Sequence, residues 1–208
     1  MKPKFPDLVT AEKLWHAVIL NRLSKPYPFK DRDAYVFHTR GVARFAKIIA
    51  EKVPALDAQK AYVLGLLHDF GKRINEREEN RFHAREGYEE MTALGYDDVA
   101  RICLTHTFHI KDFSDDEYNY PADWLCWAKE KLARLVYDDY DRLIQLCDML
   151  TEGFNFVTIE QRAEGIAGRY HLSARQKQNL IRDALPLKQH FDTLCGEDVY
   201  ALLQIKSK

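Results

Sequence analysis

Apolar residues recur every three or four positions along almost the whole chain, a spacing that places them on one face of an α-helix. The alternating Val, Ile and Thr residues typical of a half-buried strand form no convincing segment. The pattern therefore predicts an all-α fold. The predicted helices span about residues 11–23, 33–53, 57–70, 84–94, 97–109, 122–135, 138–153, 159–169 and 174–191.

Residues with strong local preferences mark several helix ends. Thr10 is a suitable N-terminal cap for the first helix, and Pro54 ends the second. Gly71 follows the third and suits the left-handed conformation that often terminates helices. Ser173, with Gln176 three residues later, forms a capping-box pattern at the last long helix.

The chain contains no internal repeat and no Gly/Ser linker, so its 208 residues are expected to form a single domain, 1–208. Its least regular stretch is KDFSDDEYNYPADW, residues 111–124, which is acidic and aromatic and contains Pro121. This stretch is expected to be a surface loop, or a lid over a site.

Composition and charge narrow the possible classes of protein. With 46% hydrophobic and 30% charged residues the chain is typical of globular proteins. Its 31 Lys and Arg residues nearly cancel 32 Asp and Glu, so nucleic acid is not an expected partner. Four separated cysteines without a C-x-x-C pair, no secretory signal and no membrane-length apolar run predict a cytoplasmic protein that does not bind a membrane.

Several helices carry metal-competent side chains where hydrophobic residues are expected. In the second predicted helix, His38 lies on the stripe formed by Tyr35, Val42 and Phe45. His68 lies on the apolar stripe of the third helix, and Asp69 follows it.

Two later helices end their apolar stripes in the same way, one on His106 and the other on Asp148. Taken singly, an inward histidine is usually a hydrogen-bonded core residue, and an inward aspartate caps a helix or pairs with an arginine. Buried charge must be paired or coordinated, however, and one shared metal centre explains all four helices together. Imidazole and carboxylate ligands suit Fe, Mn, Zn or Ni, and no thiolate is required.

The order of these residues resembles the H…HD…D signature of the HD-domain phosphohydrolase superfamily. The match consists of His38, the His68-Asp69 pair in GLLHDFGK and Asp148 in QLCDMLTE. His83 in FHAREG and His106 in CLTHTF are similar to the two middle histidines of the superfamily's dinuclear branch. The resemblance covers about residues 34–153, so 1–33 and 154–208 are expected to be helical extensions packed on an HD-type bundle.

The resemblance implies a centre of two divalent ions, of Fe, Mn, Ni, Zn or Mg. His38, His68, Asp69 and Asp148 would hold the first ion, and Asp69 would bridge to a second ion bound by His83 and His106. An ordinary histidine at a helix start is the alternative interpretation of His83.

Such a centre supports hydrolysis of a phosphate ester or anhydride by metal-activated water, because the sequence has no nucleophile elbow and no phosphate-binding glycine loop. The resemblance assigns catalytic roles to Asp69 and Lys72, the latter beside substrate phosphate; a solvated lysine at a helix end is the alternative. Arg73 and His109 are further candidates for substrate binding, and His109 alternatively lies at the surface. Arg81 and Arg85 are weaker candidates for phosphate contact.

The interval between His106 and Asp148 is longer than in compact members of the superfamily because it contains the segment 110–136. This segment is expected to set substrate specificity. Its aromatic residues either stack on a nucleobase or pack the loop onto the domain; they are Tyr118, Tyr120, Trp124 and Trp127. A nucleotide or dinucleotide is the expected substrate, and dinucleoside polyphosphate hydrolases share the order of motifs. The alternatives are a di-iron oxygenase of the same superfamily and a non-catalytic metal-binding sensor or scaffold.

Overall fold

The computed structural model describes residues 4–21, 29–72, 82–118 and 120–206. Helices dominate these ranges, which confirms the predicted all-α fold. The described α-helices are α1 Leu8–Asn21, α2 Phe29–Lys52, α3 Ala58–Leu67, α4 His83–Leu94, α5 Asp97–Thr105, α6 Ala122–Ala133, α7 Asp139–Asp148, α8 Ile159–Tyr170, α9 Ala174–Cys195 and α10 Val199–Leu202.

Side-chain caps begin several of these helices. The predicted capping box of Ser173 and Gln176 is present at the start of α9. The predicted cap of α1 was wrong, because the backbone N–H of Thr10 donates to Asp7 Oδ1 at 2.7 Å and the helix already begins at Leu8. Aspartate is at least as good a cap as threonine, so the earlier residue starts the helix.

Several helices end earlier than predicted, two of them by four residues or more. The helix predicted over 97–109 stops at Thr105, where the side-chain amide of Gln145 donates to the carbonyls of Thr105 and Phe108. The helix predicted over 138–153 stops at Asp148, and Thr151–Glu152 pairs antiparallel with Asn155–Phe156 in a small hairpin. At the end of α5, long-range hydrogen bonds from Gln145 replace the helical ones. Helical periodicity in the sequence does not reveal such contacts.

The prediction that Gly71 adopts a left-handed conformation was also wrong, since the structure gives it no positive φ. A Cβ atom on Gly71 would instead lie 2.1 Å from the carbonyl oxygen of His83 and 2.5 Å from the backbone nitrogen of Gly87. Glycine therefore lets the end of α3 touch the beginning of α4. That contact brings His83 next to Asp69.

The main hydrophobic core is formed by α2, α3, α5 and α7, together with buried residues of α1 and α9. Helices α2 and α3 approach closely because Gly65 lacks a side chain, and a Cβ there would lie 2.8 Å from Ala43 Cα. Cys103 and Cys147 are buried in this core, as predicted from their apolar helix faces. The close packing fixes which residues of α2 and α3 face each other.

The segment 110–136 packs around a second cluster of buried side chains. Phe108 is fully buried and stacks on Phe113, with ring centroids 5.0 Å apart, and Trp124 stacks on Tyr120 at 4.2 Å. Asp115–Glu117 forms a short 3₁₀ turn. The aromatic residues of the segment therefore pack it onto the domain. This favours a packing role for them over stacking on a nucleobase.

Among the helices described, none combines the length and the apolar character that crossing a membrane requires.

Candidate metal centre

The structure brings all six predicted ligand residues into one cluster, in which Asp148 is partly exposed and the other five are buried. They come from five parts of the bundle, at or near the ends of four helices and inside α2: His38 in α2, His68 and Asp69 after α3, His83 at the start of α4, His106 after α5, and Asp148 at the end of α7. Helix ends allow polar side chains to converge without interrupting the core on either side.

One half of the cluster contains the Nε2 atoms of His38 and His68, which lie 3.2 Å apart. Asp69 Oδ2 lies 3.5 Å from each of these nitrogens. Asp148 Oδ1 lies 3.0 Å from His38 Nε2 and 3.9 Å from His68 Nε2. We call these four residues the first donor group.

The other half contains the Nε2 atoms of His83 and His106, which lie 3.0 Å apart. Asp69 Oδ1 lies 3.1 Å from His83 Nε2 and 3.5 Å from His106 Nε2. We call these three residues the second donor group. Asp69 belongs to both groups, with one carboxylate oxygen facing each pair of histidines.

The outer ring nitrogens are held by hydrogen bonds that orient the imidazoles. His68 Nδ1 donates to the carbonyl of Gly65 at 2.7 Å, and His106 Nδ1 donates to the carbonyl of Ile102 at 3.0 Å. A carbonyl only accepts, so these contacts place the protons on Nδ1 and leave the Nε2 lone pairs facing the cluster. His38 Nδ1 lies 2.6 Å from the Thr151 hydroxyl.

Burial and neighbouring charges set the protonation of the cluster. Burial lowers the pKa of His68 to about 3 and also lowers the pKa values of His38 and His83. Burial opposes ionisation of Asp69, but Lys72 and the surrounding imidazoles lower its pKa well below the ordinary value. At neutral pH His38, His68 and His83 are therefore neutral and Asp69 is ionised, which are the forms that bind metal.

The donor set fits divalent metal ions. In each group, atoms from at least three residues lie within 4.8 Å of one another: His38, His68 and Asp69 in one, and Asp69, His83 and His106 in the other. Two donors at about 2.1 Å from one ion are separated by roughly 3.0–3.4 Å. The two histidine pairs, at 3.2 and 3.0 Å, have this separation.

Lys72 lies directly on the shared carboxylate. Its Nζ donates to Asp69 Oδ2 at 2.6 Å, and its side chain is 28% exposed. Burial would lower the pKa of this ammonium group, but Asp69 raises it above the ordinary value. The interpretation of Lys72 as a freely solvated residue was therefore wrong.

The remaining substrate candidates differ in their placement. His109 is half-buried and close enough to Asp148 for that carboxylate to act on its pKa, which burial lowers; it belongs to neither donor group. Arg85 pairs with Glu89 at 2.9 Å on the surface of α4. Arg73 and Arg81 lie outside the described residues.

Among the residues that contact the cluster, sequence reasoning missed Thr151 and Arg162. Thr151 was placed inside a predicted helix, but it leaves that helix and its hydroxyl meets His38. Arg162 was assigned only to a helical extension, but its Nη2 lies 3.1 Å from Asp148 Oδ1. A signal for Arg162 existed, because it lies on the buried face of α8 beside Ile159 and Ala163.

Residues 35–153 match the family model of the HD domain. The match covers more than half of the chain, and the protein belongs to the HD domain family, whose members are typically metal-dependent phosphohydrolases. Comparisons with curated proteins and with solved structures returned no match.

Proposed function

We propose that the protein is a metal-dependent phosphohydrolase that cleaves a phosphate ester or anhydride of a small nucleotide or dinucleotide. The two donor groups sharing Asp69 are the observation that supports this proposal most strongly. In it, the first donor group binds one divalent ion and the second donor group binds another.

Divalent ions in such a site lower the pKa of bound water toward neutrality and neutralise phosphoryl oxygens. The chain itself orients both sets of ligands through the Nδ1 contacts of His68 and His106. Asp69 acts on both halves of the centre because one of its oxygens faces each histidine pair. Lys72 supplies a positive charge at the same place, suited to a phosphate oxygen of the substrate.

The net reaction is hydrolysis. Water oxygen forms a new bond to phosphorus, the bond from phosphorus to the leaving oxygen breaks, and the leaving oxygen takes a proton. A nucleotide substrate rests on the similarity of the motif order to nucleotide-cleaving HD proteins. Of the aromatic residues in segment 110–136, Trp124 is buried, so base recognition by that ring is not part of the proposal.

The test combines metal analysis with a substrate screen. Purified protein is loaded separately with Mn²⁺, Fe²⁺, Co²⁺, Ni²⁺ or Zn²⁺ and assayed on nucleoside mono-, di- and triphosphates, dinucleoside polyphosphates and simple phosphomonoesters. Asp69→Asn should lose metal and turnover together. Asp139→Asn is the matched control, because Asp139 lies on α7 and pairs with Arg142 rather than with the cluster.

Two results would contradict the proposal. Equal turnover by wild-type protein and metal-free Asp69→Asn would refute the assigned role of the centre. Consumption of oxygen by the iron-loaded protein with an organophosphonate or a polyol, without cleavage of any phosphate compound, would identify an oxygenase instead.

A further inference from the structure

Helix α8, which lies beyond the matched segment 35–153, contacts the candidate metal centre through the side chain of Arg162. Arg162 is only 9% exposed. Its Nη2 donates to Asp148 Oδ1 at 3.1 Å and its Nη1 donates to Glu152 Oε2 at 2.6 Å. A buried guanidinium held between two carboxylates has one geometry, because both ends of its planar fork are engaged.

The surface of α8 accommodates the second of these carboxylates. A Cβ on Gly165 would lie 2.5 Å from Glu152 Cδ, so a larger residue there would displace the Glu152 carboxylate from its place against the helix. Arg169 pairs with the other oxygen of Glu152. Arg162, Gly165 and Arg169 are spaced by three and four residues and therefore share one face of α8. Glu152 is thus fixed on both sides and holds Arg162 in place.

Arg162 acts on the carboxylate oxygen that faces the histidines. Asp148 Oδ1, which accepts from Arg162, is also 3.0 Å from His38 Nε2. Asp148 is the last residue of α7, and the backbone hydrogen bonds at this helix end do not fix the direction of its side chain. The contact with Arg162 therefore supplies orientation that the helix end does not.

Arg162 would have two opposite effects on a cation at the first donor group. It orients Asp148, which favours binding, and its own positive charge opposes binding. Glu152, which also pairs with Arg169, lies 2.6 Å from Arg162 and offsets part of that charge. Orientation should dominate, and the sign of the change in metal affinity distinguishes the two effects.

We propose that Arg162 is a positioning residue of the metal centre: it holds Asp148 toward His38 and His68, so that α8 completes the first donor group. The proposal rests on the proposed function, in which Asp148 is a metal ligand. Glu152 and Gly165 support Arg162 and do not touch the donor atoms.

The test is calorimetric titration of the metal-depleted full chain with Mn²⁺. Arg162→Gln should bind the first ion about 10–100-fold more weakly than wild type, the usual loss when a partner of a metal ligand is removed. Arg162→Lys should also be weaker, because an ammonium group keeps the charge but does not bridge both carboxylates. Arg142→Gln is the control, since it removes one positive charge from α7, where Arg142 pairs with Asp139; its affinity should match wild type.

A double-mutant cycle separates positioning from a general structural role. Because Arg162 acts through Asp148, Arg162→Gln should have little further effect on Mn²⁺ affinity in an Asp148→Asn background. An equal loss in both backgrounds would overturn the proposal.

The remaining outcomes are also decisive. If Arg162→Gln binds Mn²⁺ as tightly as wild type, or more tightly, the inference fails while the proposed function stands. Wild-type protein that binds no Mn²⁺ refutes the proposed function and the inference with it. If circular dichroism shows Arg162→Gln to be unfolded, Glu152→Ala decides the matter: weaker binding supports positioning, and unchanged binding overturns it.

Discussion

The contact between Gly71 and the start of α4 makes the second donor group sensitive to a single methyl group. In Gly71→Ala the new Cβ would lie 2.1 Å from the His83 carbonyl oxygen, whereas ordinary contacts begin near 3.4 Å. The two backbone segments must therefore separate by about 1.3 Å. His83 begins α4 and should move with it.

The displacement is large compared with what metal coordination tolerates. Ligand distances in metal sites hold to within about 0.2 Å, so a shift of about 1.3 Å removes His83 from the second donor group. Loss of one ligand should weaken binding of the second ion by at least about 10–100-fold. The first donor group does not include His83 and should keep its ion. Overpacking should also lower the free energy of unfolding by roughly 1–3 kcal/mol.

The assay measures bound Mn²⁺ per chain by elemental analysis and titration, together with urea unfolding. Gly168→Ala is the matched control, because nothing lies within 4 Å of its added Cβ and the residue lies inside α8. That control should bind metal as wild type does and gain up to about 1 kcal/mol from higher helix propensity. If Gly71→Ala binds two ions with wild-type affinity, the steric link between Gly71 and the second donor group is wrong.

Three further predictions address the same centre. The free energy of unfolding of the metal-free protein should fall as the pH drops below 6.5, because the unfolded chain protonates His68 while burial holds its folded pKa at about 3. This residue alone should lower the free energy of unfolding by about 2 kcal/mol between pH 8 and pH 5. Urea unfolding curves that coincide at the two pH values would contradict the prediction. Thr151→Val should lower the affinity for the first ion by about tenfold or more, since it removes the partner of His38 Nδ1. The control Thr193→Val changes an exposed residue and should leave the Mn²⁺ affinity unchanged. Lys72→Ala should keep both ions and raise KM for a phosphorylated substrate; loss of metal from this variant would show a structural role instead.

Local sequence patterns predicted most of the helices and the inward direction of the central ligands. His38 lies on the apolar stripe of α2, and its position there follows from helical periodicity alone. The ends were less predictable: α5 and α7 stop early, and Gln145 satisfies the end of α5 from another helix. Periodicity is a property of neighbours in sequence, so it does not register a partner supplied from elsewhere in the fold.

The sequence by itself determined that imidazoles and carboxylates occupy buried helix faces, and that burial requires them to share a partner. The resemblance already implied how they divide, and the tertiary structure decided that Asp69 turns one carboxylate oxygen toward each histidine pair. It also selected Thr151, 113 residues from His38, and Arg162, beyond the matched segment, as the groups that orient the ligands. The physical reason is close packing. Residues without side chains, such as Gly71, let backbone segments touch, and the spacing of these segments along the chain does not predict that they are in contact.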